Sequence, residues 1–262
     1  MPRQGLKNVL QLLDEAEETI SPDQSFLRDL KRSIELDDQK NRRAPSQMYK
    51  PSSLQCIRNM YYQRTGAESE NSSSYTLIGI QNSGTDIHIR VQTAIDHMKE
   101  NGIDCEYLDV AKFVEEKGLK DIEVVEHSGM ETKLRNTALA ISFMCDGVVR
   151  YKNQYYIIEI KSETVNKWFQ RTGVDSKHLN QGTAYSLCLQ IPDVIFIYVS
   201  RDTLDMKSFM FHPSDKQKED LVSKILECEN YVGDKTTPPM PAGVDKRVCQ
   251  YCNYKVQCRK DG

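Results

Sequence analysis

Two short runs, Cys145-Asp146-Gly147-Val148-Val149 and Tyr155-Tyr156-Ile157-Ile158-Glu159-Ile160-Lys161, place an acid at the end of one β-strand and a Glu-x-Lys on the next. Alternate side chains of a strand share a face, so Glu159 and Lys161 point together while Ile158 and Ile160 enter a core. A fold built on these strands must therefore accommodate a carboxylate and an ammonium side by side. Alone, Glu-x-Lys is an ordinary solvated strand face; its surroundings decide what it is for.

Those surroundings are a mixed α/β pattern. From Gly84 the residues Ile87, Val91, Ile95 and Met98 recur at helical spacing, and the helix is expected to stop near Asn101-Gly102. Strand-like runs lie at Ile122–Val125, Leu139–Cys145, Tyr155–Ile160, Val194–Val199 and Ser208–Phe211, with helical sequence between several of them. A charged helical segment spans Ser214–Val232, and residues 237–243 (TPPMPAG) break the chain before a cysteine-rich tail. Residues 1–44 read as a helical extension, with Val9, Leu10, Leu12 and Leu13 as its apolar stripe; residues 45–236 form the core and 237–262 the tail. At 262 residues the chain can bury about two-thirds to three-quarters of its unfolded surface. A net charge of -3 excludes a protein that coats nucleic acid by a global basic field, so such a partner would be met in a local groove. No apolar run of membrane length and no leader pattern is visible, which makes a cytoplasmic protein with no membrane partner the expectation.

Asp146 and Glu159 are hard oxygen donors suited to Mg²⁺ or Mn²⁺, and a cation held by them would activate water and offset charge on a phosphodiester. Lys161 would orient the attacking water and stabilise developing charge. Upstream stands Gly84-Thr-Asp-Ile-His88 at the expected helix start; downstream, Gln181 and Tyr185 share a helix face four residues apart. Each is commonplace by itself. In order, Gly-x-x-x-His, Asp, Glu-x-Lys and Gln-x-x-x-Tyr resemble the RecB-like branch of the PD-(D/E)XK nucleases, over roughly residues 56–258. The resemblance implies a restriction-endonuclease-like α/β core, a mixed central sheet flanked by helices. It also implies metal ligation by His88, Asp146, Glu159 and the carbonyl of Ile160, catalysis by Lys161, and DNA holding by Gln181 and Tyr185. The family often has glycine three residues before the aspartate; this chain has Phe143.

Eight cysteines in a chain with no secretory pattern argue for reduced thiols. Cys249-x-x-Cys252-x₅-Cys258 closes the chain, and Cys56 stands far upstream. Four thiolates suit either Zn²⁺ or a [4Fe–4S] cluster, and spacing does not choose. The split placement resembles iron–sulfur nucleases of the AddB type and the CRISPR-associated nucleases that trim DNA before spacer integration, which implies the iron–sulfur alternative with a structural role. Cys105, Cys145, Cys188 and Cys228 read as core residues.

Lys167, Trp168, Arg171 and Lys177 lie where a loop or helix could lean over the centre. Two readings stay open: phosphate contacts with Trp168 stacked on a base, or a core tryptophan among solvated cations. The resemblance implies exonuclease action on single-stranded DNA, with 5′ to 3′ polarity as one option, in recombination, replication or CRISPR adaptation. A prespacer-processing partner of an integrase and a non-catalytic DNA-binding scaffold are the alternatives. No Gly-x-x-x-x-Gly-Lys motif is present, so unwinding would come from a helicase or other recombination partner.

Overall fold

The computed structural model describes residues 21–41, 44–69, 74–128, 130–241, 249, 250 and 252–262. The Val9–Leu13 stripe lies outside them. The described residues fall into two compact units, residues up to 41 with 74–81, and the remainder from 44 onward.

In the N-terminal unit, α1 (Pro22–Lys40) begins with proline at its first turn, where the missing N–H has no partner to lose. The backbone N–H of Tyr75 donates to Glu35 at 2.9 Å, and the Lys31 ammonium lies 4.6 Å from the Tyr75 ring centroid. Tyr75 opens α3 (Tyr75–Asp96), whose later residues belong to the main unit.

The main unit holds α2 (Ile57–Arg64) and then β1 (Cys105–Tyr107), α4 (Val110–Glu116), β2 (Ile122–Ser128), β3 (Glu131–Asn136), β4 (Ile141–Phe143), β5 (Gly147–Tyr151) and β6 (Gln154–Glu163). There follow α5 (Val165–Gln170), α6 (Ser176–Leu189), β7 (Val194–Ser200), β8 (Met206–Phe211), α7 (Asp215–Gly233) and, in the tail, α8 (Lys255–Lys260). Five strands form one sheet in the order β1-β5-β6-β7-β8, parallel between β6 and β7 and antiparallel elsewhere. A second, antiparallel sheet has the order β2-β3-β4. The expected α/β class with a mixed central sheet flanked by helices is what forms. Among the described residues no helix is long and apolar enough to cross a membrane.

The alternation of β6 sorts its two faces. Ile158 and Ile160 pack with Val149 and Val199 against Ile87, Val91 and Ile95 of α3, and Met98 joins them. On the opposite face Ile157, Val194, Phe196 and Tyr198 meet Ala184, Tyr185, Cys188 and Leu189 of α6, with Leu221 and Ile225 of α7 behind. A helix thus covers each face, with Glu159 and Lys161 on the α6 side.

Several boundaries differ from the sequence reading. Gly84 does not start a helix but lies inside α3, because the apolar residues from Tyr75 carry helical sequence back past it. The strand expected over Leu139–Cys145 shortens to Ile141–Phe143, since Ala140 takes a positive φ of 51° in the turn before it. Asp146 accordingly stands just before β5 rather than at the end of a long strand.

How closely α6 lies on the sheet is fixed at Gly182. A Cβ there would come within 2.9 Å of Phe211 and 3.1 Å of Phe196. Gly182→Val is expected to lower stability by about 2–3 kcal/mol, since an added side chain must lift the helix or displace those rings. Thermal melting by circular dichroism checks this; an unchanged midpoint would mean the helix is free to shift.

Candidate metal and active centre

β5 begins at Gly147, paired with Ile158, whereas β6 runs on to Glu163. The β5-facing edge of β6 is therefore unpaired by that strand beyond Ile158, and Asp146 fills the gap. The N–H of Ile157 bonds toward β7, to Asp193 O at 3.0 Å, so by alternation the N–H and C=O of Ile160 face the β5 side. There the Ile160 N–H donates to Asp146 Oδ2 at 2.6 Å. The Ile160 carbonyl opens onto the same notch.

Asp146 is held from several directions. His88 Nδ1, from α3, lies 2.9 Å from its Oδ1. Gln92 Nε2 and the Tyr107 hydroxyl both donate to its carbonyl, each at 2.7 Å. Tyr107 stands so close that a Cβ on residue 147 would fall 2.7–2.9 Å from its ring and hydroxyl, which is why glycine follows the aspartate. Neither Gln92 nor Tyr107 was singled out from the sequence. Gln92 carried a usable signal, being a polar residue one helical turn beyond His88 and 3% exposed in the fold.

Glu159 is 3% exposed. Its Oε1 accepts from Lys161 Nζ and from Gln181 Nε2, the latter at 2.7 Å. Gln181 is also 2.8 Å from the Tyr185 hydroxyl, which donates to Met144 O at 2.9 Å. Gln181 and Tyr185 are thus buried beneath Glu159, a placement that orients the carboxylate and leaves little of either side chain for DNA.

Burial, and then the nearby Asp146 carboxylate, push the pKa of Glu159 up to about 7 against the pull of Lys161. Burial opposes charging of His88, but its hydrogen bond to Asp146 and the adjacent negative charge outweigh that and raise its pKa. A buried carboxylate held up in this way beside a second carboxylate is an electrostatic deficit that a hard divalent cation offsets. The donors of His88, Asp146, Glu159 and the Ile160 carbonyl fit Mg²⁺ or Mn²⁺ chemically. They are neighbours without being gathered as a cage: among the described residues no group of three His, Cys, Asp or Glu side chains is arranged to hold an ion. Asp146 instead pairs with His88, and Glu159 with Lys161.

The cations beyond Lys161 divide sharply. The Arg171 side chain is only 7% exposed: Nε and Nη2 grip the two oxygens of Glu163 at 2.6 Å each, Nη1 donates to Gly173 O at 3.1 Å, and the guanidinium stacks 3.9 Å from the Tyr198 ring centroid. Trp168 is 9% exposed and donates from Nε1 to Tyr198 O at 3.0 Å. Of the two readings left open, contact of Trp168 and Arg171 with DNA is the one corrected: the ring belongs to the core, as the other reading had it, and the guanidinium is neither turned to DNA nor solvated, its donors being satisfied within the protein. Lys167, its side chain 44% exposed, bridges to Asp175 at 3.1 Å, and Lys177 is exposed at the start of α6.

Cys105, Cys145, Cys188 and Cys228 are buried, while Cys56, Cys249, Cys252 and Cys258 are half-buried. Burial raises the Cys252 thiol against the pull of the Tyr254 backbone N–H, with smaller contributions from Cys56, Cys258 and Cys249. Asn59 Nδ2 and the Tyr254 N–H approach Cys252 Sγ at 3.6 and 3.5 Å. The four thiols are a donor set that suits a thiolate centre, but they are not gathered as one: among the described residues no three His, Cys, Asp or Glu side chains are arranged to hold an ion.

No protein-family model and no curated protein matches the chain. Among solved structures it is similar to an alkaline exonuclease, LHK-Exo, from Laribacter hongkongensis, at 13% identity, 73% of this chain, 90% of that chain and a TM-score of 0.44. The same protein in complex with dAMP gives 13%, 72%, 89% and 0.43. The protein SSO0001 gives 14%, 88%, 96% and 0.44.

Folding raises the proton affinity of both Glu159 and His88, so without metal their contribution to stability is fully present below their unfolded pKa values. It is lost as pH rises through the folded ones, about 7 for Glu159. In EDTA the melting midpoint of the wild type is expected to fall from about pH 5 to pH 8 more steeply than that of Glu159→Gln. Parallel curves for the two proteins would remove the buried-carboxylate account.

Proposed function

We propose that this chain is a divalent-metal-dependent deoxyribonuclease that hydrolyses phosphodiester bonds, acting as an exonuclease on single-stranded DNA in recombination, replication or CRISPR adaptation. The observation that carries the reading is the buried Glu159 carboxylate, paired with Lys161, beside Asp146 and His88 at the notch where β5 stops short along β6. His88, Asp146, Glu159 and the Ile160 carbonyl would hold Mg²⁺ or Mn²⁺, which when bound supplies positive charge for the phosphate and acidifies water.

The remaining work falls to the chain's own groups. Lys161, its side chain 23% exposed, reaches from the carboxylate toward solvent and is the group that orients water and offsets charge at phosphorus. Gln181, anchored by Tyr185, fixes the rotamer of Glu159. Gln92 and Tyr107 fix the backbone of Asp146. Lys167 and Lys177 are the cations of this region left to meet the DNA backbone, which favours contact with phosphates over base reading.

Lys161→Ala is expected to slow Mn²⁺-dependent degradation of a labelled single strand by about 100-fold or more, with its circular-dichroism spectrum unchanged. Wild-type rates in that variant would withdraw the role of Lys161. Strands labelled separately at each end report the polarity in the same assay, and turnover absent from the wild type across metals would leave a DNA-binding scaffold.

The proposal includes a [4Fe–4S] cluster on Cys56, Cys249, Cys252 and Cys258, with a structural role for the tail. Anaerobically purified protein is then expected to be brown, absorbing near about 400 nm, with iron and sulfide in equal amounts. Colourless protein loaded with zinc would identify the centre as a zinc site.

A further inference from the structure

His178 precedes Gln181 by about one turn of α6, and its ring lies over β7 rather than over Glu159. It stacks on Phe196 and Tyr198, with centroid separations of 6.2 and 5.9 Å. Phe196 and Tyr198 are the parallel-register partners of Glu159 and Lys161. The imidazole is therefore level with the carboxylate–ammonium pair, one strand over and on the same face.

Its hydrogen bonds fix where its proton resides. His178 Nδ1 is 2.9 Å from the Tyr198 hydroxyl, which accepts from the Asp175 N–H at 3.0 Å. Tyr198 is 0% exposed, and among the described residues Nδ1 is the acceptor that its hydroxyl hydrogen can reach. A buried hydroxyl hydrogen left without an acceptor is costly, so Tyr198 donates and Nδ1 accepts. The ring proton then resides on Nε2. A second proton would have to enter at Nδ1 and displace that bond, which opposes the imidazolium form. Burial, then Lys161 and Lys177, with a smaller push from Lys167, hold the pKa down to about 3 against the pull of Asp175.

Nε2 has no hydrogen-bond partner among the described residues and is not sealed from water. The ring is thus a fixed, uncharged N–H donor in the company of Lys161 and Lys177. A phosphodiester oxygen suits it: the oxygen accepts the hydrogen bond, the lysines supply the charge, and a neutral ring repels neither them nor a cation at Glu159.

We propose that His178 is a phosphate-binding residue of the notch, its Nε2–H, set by Tyr198, donating to a backbone oxygen of the DNA strand next to the phosphate that Lys161 serves. This rests on the reading of the chain as a DNA nuclease.

The test uses the full chain with ring-¹⁵N-labelled histidine, free and with an oligo(dT) strand in Ca²⁺, which stands in for the activating metal. His178→Gln assigns the resonances among the five histidines. Free wild type is expected to carry its proton on Nε2 and to show no titration of His178 from about pH 5 to pH 8, where an ordinary histidine titrates. Tyr198→Phe, which keeps the ring and removes the hydroxyl, is expected to mix the two tautomers. The strand is expected to shift the Nε2 signal of the wild type, and His178→Ala to bind it about 10-fold more weakly by fluorescence anisotropy. His178→Gln, which offers an uncharged N–H, is expected to recover part of that loss.

A ring proton on Nδ1, or an unaltered tautomer in Tyr198→Phe, overturns the proposal. So does a strand that binds without moving Nε2, or wild-type affinity in His178→Ala; if that variant does not fold, the wild-type Nε2 signal decides. Those outcomes leave the nuclease reading standing. Wild-type protein that binds no strand removes that reading itself, and the role of His178 with it.

Discussion

A carboxylate on the inner face of a central strand is an unfavourable object, and the main unit is arranged around making one tolerable. Glu159 has almost no access to water, so every opposing dipole must come from the protein: Lys161 from its own strand and Gln181 from the helix above. That helix delivers the amide because Gly182, the next residue, lets its backbone settle against Phe196 and Phe211. Placing a polar group under a strand thus depends on the absence of a methyl group one residue away.

The opposite layer solves a different problem. Asp146 has no strand partner of its own, and an unpaired acid at a strand start would be free to swing. His88 and the Ile160 N–H take its two oxygens, while Gln92 and Tyr107 take its carbonyl. Since His88 and Gln92 are one turn apart on α3, the apolar contact of Ile87, Val91 and Ile95 with the sheet also sets the polar contact. Packing and polar placement are here the same event, consistent with a site built on rigid elements rather than on loops.

Much of this was legible in the sequence, for reasons that differ by residue. The alternation around Ile158 and Ile160 is a local property, so it predicted correctly which neighbours enter the core and that Glu159 and Lys161 share a face. What the pattern could not give was how deep that face lies: Gln181 and Tyr185 read only as sharing a helix face, and their burial depends on the approach of α6, a long-range fact. Two readings stayed open for Trp168 and Arg171 for the same reason, since Glu163 and Tyr198, their anchors, lie in other segments. The three-stranded second sheet was only partly visible, because β3 is a polar strand whose sequence, ETKLRN, offers a weak alternation. The reading of Cys105, Cys145, Cys188 and Cys228 as core residues came from the apolar or helical sequence around them, and all four are buried.

Arg58, 3% exposed and two residues after Cys56, donates to Pro238 O and Gly262 O, contacts that join residues 180 to 204 positions apart. Closure of so wide a span comes late in any route of assembly, after the contacts inside it have formed. On a ribosome, everything from His88 to Tyr185 has emerged before residue 258 is made, so the sheet and its acidic notch can mature while the tail is still in the exit tunnel. A defect confined to the tail would then yield a chain whose interior is already formed but whose last thiols are left open to air oxidation.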